Sequence, residues 1–122
     1  MAKALGVGGV FYKSRDAKAL GEWYQRWLGV PYEKGSGASF MPSAMPAGSV
    51  TVWSPFAADT KYFQPSPREF MFNLVVDDVE GALAQVKEGG ATIVGEIADE
   101  SYGRFGWFVD PDGNKVELWE PK

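Results

Sequence analysis

Asp110-Pro111-Asp112-Gly113-Asn114-Lys115-Val116-Glu117-Leu118 is the stretch of the sequence that decides the fold. Its first half has the composition of a hairpin turn, because Pro fixes one backbone angle and Gly tolerates the conformations that tight turns need. The second half alternates polar and apolar residues, which is typical of a strand with one buried face. A calcium loop is excluded, since Gly113 comes two residues too early for that pattern. We therefore predict a tight turn followed by a strand that carries Glu117.

A strand and a helix precede this turn. Phe70 to Val76 has the composition of a strand, and Asp78 is a favourable helix N-cap. Apolar residues then recur at the spacing of one helical face, and Gly89-Gly90 ends the helix. The residues of this stripe are Val79, Ala82, Leu83 and Val86.

The same order occurs earlier in the chain. Leu5 to Tyr12 has the composition of a strand, and Asp16 is the N-cap of a helix that ends at Gly29 and Pro31. The apolar stripe of that helix contains Leu20, Trp23, Tyr24 and Trp27, which we expect to be core residues. Aligning Asp16 with Asp78 superimposes the two units without a gap, and a strand at residues 50–53 matches the strand at residues 116–119.

The repeat predicts one domain, spanning residues 1–122, that is built from two βαβββ modules. The first module covers about residues 4–53, and the second covers about residues 69–121. The connector, residues 54–68, contains three prolines and shows no periodicity. Phe56, Tyr62 and Phe63 make it unusually apolar for a solvated linker, which raises the alternative that it serves association with another chain.

Composition excludes several classes of function. The 122 residues carry 12 basic and 16 acidic side chains without a basic block, so nucleic acid and anionic membrane surfaces are not expected partners. The chain has no Cys and no His, and it therefore lacks the commonest general base and the commonest ligands of zinc and non-haem iron. The apolar run from Ala4 to Tyr12 is too short to cross a bilayer, and no cleavage pattern follows it, so we expect a cytoplasmic protein.

The paired units, and above all the Asp-Pro-x-Gly-Asn turn before an x-Glu-Leu strand, resemble the vicinal oxygen chelate superfamily. This group contains glyoxalases, bleomycin-resistance proteins and dioxygenases, and the resemblance covers nearly the whole chain. It implies an α+β fold in which two βαβββ modules form a cup of curved mixed sheet, usually in a homodimer. In the enzymes of the group, a divalent metal lies on the cup floor. The first and last strands of each module supply its ligands.

The four ligand positions that the resemblance implies are occupied here by Gly9, Thr51, Met71 and Glu117. Only Glu117 is a suitable ligand, because a hydroxyl binds weakly and a thioether prefers soft metals. Catalytic metal sites typically offer about three protein ligands. We therefore predict no metal site and no cofactor, and the resemblance moves towards the drug-sequestering members of the group.

Strand alternation predicts which residues share the cup with these positions. The predicted ligand-binding residues are Phe11, Thr51, Trp53, Asn73, Trp107, Glu117 and Trp119. Trp107 is chosen from the two possible parities of the strand before the turn, which no ligand position fixes. Val7, Ser49, Met71 and Val75 share the parity of these residues, whereas Val10, Tyr12, Phe72, Leu74, Val116 and Leu118 would pack under the helices. Such a lining suits a small, flat or apolar molecule that a few hydrogen bonds orient.

Several functions remain open at the level of sequence. The first hypothesis is a metal-independent binder of a small apolar or aromatic molecule. The second is a lyase- or isomerase-type enzyme with Glu117 as its general base. A metal-dependent glyoxalase or dioxygenase and a purely structural dimerisation module are further alternatives. Glu117 could equally be an ancestral carboxylate that is paired with Lys13 or Arg104 or simply solvated. Trp53, Met71 and Trp119 could be core filler.

Overall fold

The structure, a computed structural model, describes all 122 residues and shows two helices beside one four-stranded mixed sheet. In chain order the elements are α1 (Ala17–Leu28), a 3-10 turn (Pro42–Ala44), β1 (Phe72–Val75), α2 (Val79–Glu88), β2 (Thr92–Glu100), β3 (Gly103–Val109) and β4 (Lys115–Pro121). The strand order is β1-β4-β3-β2, with β1 parallel to β4 and the other pairs antiparallel. The α+β class is confirmed, and residues 72–121 form one complete βαβββ unit.

Both helices begin at the predicted caps. The Asp16 side chain accepts a hydrogen bond from the Ala19 amide, and the Asp78 side chain accepts one from the Gly81 amide, each at 3.0 Å. These bonds satisfy amides that a helix leaves unpaired at its N-terminus. Gly29 ends α1 in the left-handed conformation, with φ of 63°, which glycine adopts without a side-chain clash.

The core lies between the two helices and one face of the sheet. Its buried residues are Leu20, Tyr24, Val79, Ala82, Leu83, Val86, Phe108, Val116 and Leu118. Phe72 and Leu74 pack against this cluster, as predicted from the parity of β1. Trp23 joins the two helical units, because its indole Nε1 donates to the Gly89 carbonyl at 2.8 Å. The helices do not cover the opposite face of the sheet, which is therefore available for a binding site.

The turn at residues 110–114 is fixed by the buried Asp110 carboxylate. It accepts hydrogen bonds from the Asp112 and Asn114 amides, from the Asn114 side chain and from the Tyr24 hydroxyl, at 2.8 to 2.9 Å. Tyr24 belongs to α1, so this turn also holds the first helix against the sheet. Burial, followed by the charge of Asp110, raises the pKa of Tyr24 well above its usual range.

The strands predicted for the first module are not present. Residues 5–12 and 50–53 form no strand, and an isolated bridge between Glu33 and Gly37 is the only pairing before β1. Val10, predicted to pack under the helices, is 61% exposed, whereas Tyr12 does reach the Phe72 ring at 4.5 Å. A strand needs a neighbour for its backbone groups, and nothing in this chain pairs with these segments. The four-stranded sheet therefore stays open.

Neither helix is long and apolar enough to span a membrane.

Candidate ligand-binding face

Three predicted site residues lie side by side on the face of the sheet that the helices do not cover. The register places Asn73 of β1 opposite Glu117 of β4, and Glu117 opposite Trp107 of β3. Their chain neighbours Val116 and Phe108 are fully buried on the other face, as the two-residue period of a strand requires. The sheet thus brings three side chains from distant parts of the sequence into one row.

The Glu117 carboxylate is the centre of this row. Its Oε1 accepts a hydrogen bond from Asn73 Nδ2 at 2.7 Å, and its Oε2 accepts one from Trp107 Nε1 at 2.9 Å. The Tyr62 hydroxyl donates to the same Oε2 at 2.5 Å. Three donors therefore surround a carboxylate that, when ionised, can only accept. The alternative pairing of Glu117 with Lys13 or Arg104 is wrong, because Arg104 pairs with Glu80 and Glu120 instead and Lys13 makes no ion pair.

A second row of the same face is aromatic. Phe105 of β3 lies opposite Trp119 of β4, and their rings are parallel within 4° with centroids 6.3 Å apart. Val75 of β1 flanks Trp119 on the other side. We call these two rows, residues 73, 75, 105, 107, 117 and 119, the Glu117 face. Phe105 was not among the predicted residues, although its parity with Trp107 in one strand could have identified it.

The connector folds back over the Glu117 face. The Tyr62 ring meets the Trp107 ring edge to face, with centroids 6.5 Å apart, and Phe56 and Phe63 pack beside Tyr62. Lys115 Nζ lies 5.0 Å from the centroid of the Tyr62 ring and donates to the Tyr62 carbonyl. Sequence reasoning missed Tyr62 as a site residue, because its contact with Glu117 spans 55 positions and no local pattern encodes it.

The ionisation of Tyr62 and Lys115 reflects this packing. Burial, reinforced by the hydrogen bond and charge of Glu117, raises the pKa of Tyr62 to about 12. Burial also lowers the pKa of Lys115, although the charge of Glu117 opposes that change. At neutral pH the Tyr62 hydroxyl therefore stays protonated and remains a donor to Glu117.

The three predicted site residues of the first module are not brought to this face. Phe11 is 94% exposed and Trp53 is 78% exposed, and Thr51 lies in the same exposed segment as Trp53. None of them makes a side-chain hydrogen bond or a ring contact with the Glu117 face. The prediction relied on strands that do not form in the single chain. Asn73, Trp107, Glu117 and Trp119 do come together as expected.

The metal that the fold family implies does not fit the side chains of this chain. Gly9 and Thr51 lie in exposed segments outside the sheet, and Met71 offers only a thioether. No group of three or more Asp, Glu, His or Cys side chains is arranged to hold a metal ion. Glu117, the single carboxylate of the set, already accepts from Tyr62, Asn73 and Trp107. A metal would have to displace these donors and still find further ligands.

Two concavities lie at the C-terminal end of β1, where Val75 and Val76 line both of them. One, of about 420 Å³, is lined by Leu28, Asp77 and Gln85 among others, and the second, of about 370 Å³, lies under Phe40, Met41 and Met45. Both are wide open to solvent, and neither brings together a set of hydrogen-bonded polar side chains. We therefore take the Glu117 face, with its organised carboxylate, as the candidate site.

The chain belongs to the glyoxalase-like domain family, whose model matches residues 9–119. The match spans most of the predicted first module and all but the last two residues of the βαβββ unit. It confirms the resemblance that the turn at residues 110–114 and the following strand suggested. A comparison with curated proteins gave no match.

Solved structures share the fold at low sequence identity. A member of the glyoxalase/bleomycin resistance protein/dioxygenase superfamily from Sphaerobacter thermophilus is 22% identical, with a TM-score of 0.51, over 97% of this chain and 98% of its own. TnmS3, an antibiotic binding protein from a Streptomyces species, is also 22% identical, with a TM-score of 0.52, over 89% of both chains. These likenesses establish the fold.

Proposed function

We propose that this protein binds a small aromatic or apolar molecule on the Glu117 face without a metal ion. The observation that carries the proposal is the row formed by Asn73, Glu117 and Trp107, in which an organised carboxylate lies beside aromatic rings. Flat apolar molecules are held by dispersion on such surfaces, while a few polar groups fix their orientation. The fold shared with TnmS3, which binds an antibiotic, supports a binding role.

A thermal-shift screen of aromatic compounds on protein treated with a chelator tests this proposal. A ligand at about a hundredfold over its Kd should stabilise the fold by about 2.7 kcal/mol, which gives a clear rise in Tm. Trp107→Ala should abolish the rise for an active compound. Phe40→Ala, which removes an exposed ring outside the Glu117 face, should leave it intact. No rise with any compound, or an equal rise in Trp107→Ala, would refute the proposal.

The second candidate function is proton transfer by Glu117 in a lyase- or isomerase-type reaction. The 2.5 Å contact between the Tyr62 hydroxyl and Glu117 favours it, since a carboxylate and a phenol in contact can serve as base and acid. Glu117→Gln should then abolish turnover while it leaves folding, and the binding of ligands without a hydroxyl, nearly unchanged. Turnover that persists in this variant excludes the role.

We further propose that two copies of the chain form a homodimer in the cytoplasm. Val7, Val10, Phe11, Val50, Val52 and Trp53 are all exposed in the single chain. Exposed apolar patches of this kind typically mark association surfaces. The outer edge of β1 is also unpaired, and an open edge is a ready template for another strand. Cell fractionation tests the location, and light scattering tests the oligomeric state.

A further inference from the structure

We infer that the Glu117 face recognises a phenol, and that the Tyr62 side chain occupies the position of that phenol in the free protein. The inference rests on the proposed function and specifies its ligand class. Tyr62 is itself an aromatic ring that carries a hydroxyl. Its position therefore shows which contacts the face offers to such a group.

The contacts of Tyr62 define a subsite with two parts. The polar part is Glu117 Oε2, which accepts the Tyr62 hydroxyl at 2.5 Å while Trp107 Nε1 donates to the same oxygen at 2.9 Å. The apolar part is the Trp107 ring, which the Tyr62 ring meets at an interplanar angle of 81°. A planar ligand with a hydroxyl on its ring reproduces both parts at once.

Tyr62 can leave this position without disturbing the core. It belongs to the connector, which contains no helix or strand, and 42% of its surface is exposed. Its ring contacts on the connector side are Phe56 and Phe63, which move with the same segment. Lys115 provides the remaining anchor, through the Tyr62 carbonyl and ring. A bound phenol restores to Glu117 the hydrogen bond that the departing Tyr62 removes.

The charge of Glu117 selects among aromatic ligands. An ionised carboxylate accepts hydrogen bonds and repels anions, so the hydroxyl must arrive protonated. An aromatic ether of the same shape has no donor, so Glu117 Oε2 loses the hydroxyl hydrogen bond and keeps only the one from Trp107 Nε1. A hydrogen bond to a charged group changes an equilibrium by about tenfold or more. We therefore expect a phenol to bind at least about tenfold more tightly than its methyl ether.

Calorimetric titration of chelator-treated protein with 2-naphthol and 2-methoxynaphthalene tests the inference. The wild-type protein should prefer 2-naphthol by at least about tenfold. Tyr62→Phe should tighten 2-naphthol by about threefold or more, because removal of the competing hydroxyl increases the open population. Glu117→Gln should reduce the preference by about threefold or more, because its amide oxygen is an uncharged and weaker acceptor. Tyr32→Phe is the matched control, since the Tyr32 hydroxyl makes no hydrogen bond, and it should match the wild type.

The contrary results distinguish a failure of this inference from a failure of the proposed function. Equal affinity for the two naphthalenes, or unchanged 2-naphthol affinity in Tyr62→Phe, overturns the phenol subsite while binding of aromatic molecules survives. Tighter binding of 2-naphthylmethylammonium than of 2-naphthol also overturns it, because the face would then be selecting a cation. Failure of both naphthalenes to bind contradicts the inference, and the thermal-shift screen then decides the proposed function independently.

Discussion

At the scale of single residues, the Glu117 carboxylate and the Tyr62 phenol form the central pair of the candidate site. Strand alternation was sufficient to place Asn73, Glu117 and Trp119 on one face, because a two-residue period leaves each side chain only two directions. It left two possible parities for the strand of Trp107, and Trp107 was chosen from these two. It could not find Tyr62, since an irregular connector has no period that reveals its packing. The contact depends on the tertiary fold.

Titration of Tyr62 provides a test at this scale. Its folded pKa of about 12 lies above the ordinary value of 10.0, so its contribution to stability is complete below about pH 10 and is lost as the pH rises through about 12. The tyrosinate absorbance difference between the wild type and Tyr62→Phe should therefore have its midpoint near 12, with far-UV circular dichroism confirming the fold. A midpoint near 10 would show that Tyr62 does not contact Glu117.

Asp110 is the residue on which the turn at 110–114 depends. Asp110→Ala leaves the Tyr24 hydroxyl and the Asn114 side chain without their acceptor in a buried setting, and Asp110 itself is only 4% exposed. We expect a loss of about 3 to 5 kcal/mol in the free energy of unfolding, measured in urea. Asp59→Ala, in an exposed loop, should change it by less than about 0.5 kcal/mol. Similar values for both variants would contradict this account of the turn.

At the scale of elements, both helices and the strands of the second module could be predicted from the sequence. The strands predicted for the first module do not form. An N-cap and an apolar stripe are local signals, and both helices begin where Asp16 and Asp78 predict. A strand depends on a partner, and the apolar segments at residues 5–12 and 50–53 have none within the chain. Their composition predicted a conformation that the isolated chain cannot satisfy.

The packing of α2 on the sheet gives a second test of stability. A methyl group added at Gly106 of β3 would lie 2.6 Å from Leu83 Cδ1 and 3.2 Å from Val79 Cγ2, so these buried side chains of α2 must shift. Gly106→Ala should therefore cost about 1 to 3 kcal/mol in the free energy of unfolding. Gly8→Ala meets no atom within 4 Å and should cost less than about 1 kcal/mol. Equal costs would show that α2 does not pack on β3 at this distance.

At the scale of the whole molecule, the open sheet and the exposed first unit lead to the proposed homodimer. Light scattering on the wild type should give the mass of two chains, each of 13.3 kDa. Val10→Lys combined with Val52→Lys should give a monomer, because two charges would enter the apolar contact. Both side chains are exposed in the single chain, so the far-UV spectrum should not change. A monomeric wild type would refute the dimer.

The central claim, that a small aromatic molecule binds the Glu117 face without a metal, is tested most directly by the indole N–H signals of the five tryptophans. Two-dimensional ¹H–¹⁵N spectra of chelator-treated protein should be recorded during titration with a compound that raises the Tm. We expect the signals of Trp107 and Trp119 to shift with saturation, while that of Trp23, which donates to the Gly89 carbonyl in the core, stays in place. Saturable binding that leaves Trp107 and Trp119 unmoved would contradict the claim.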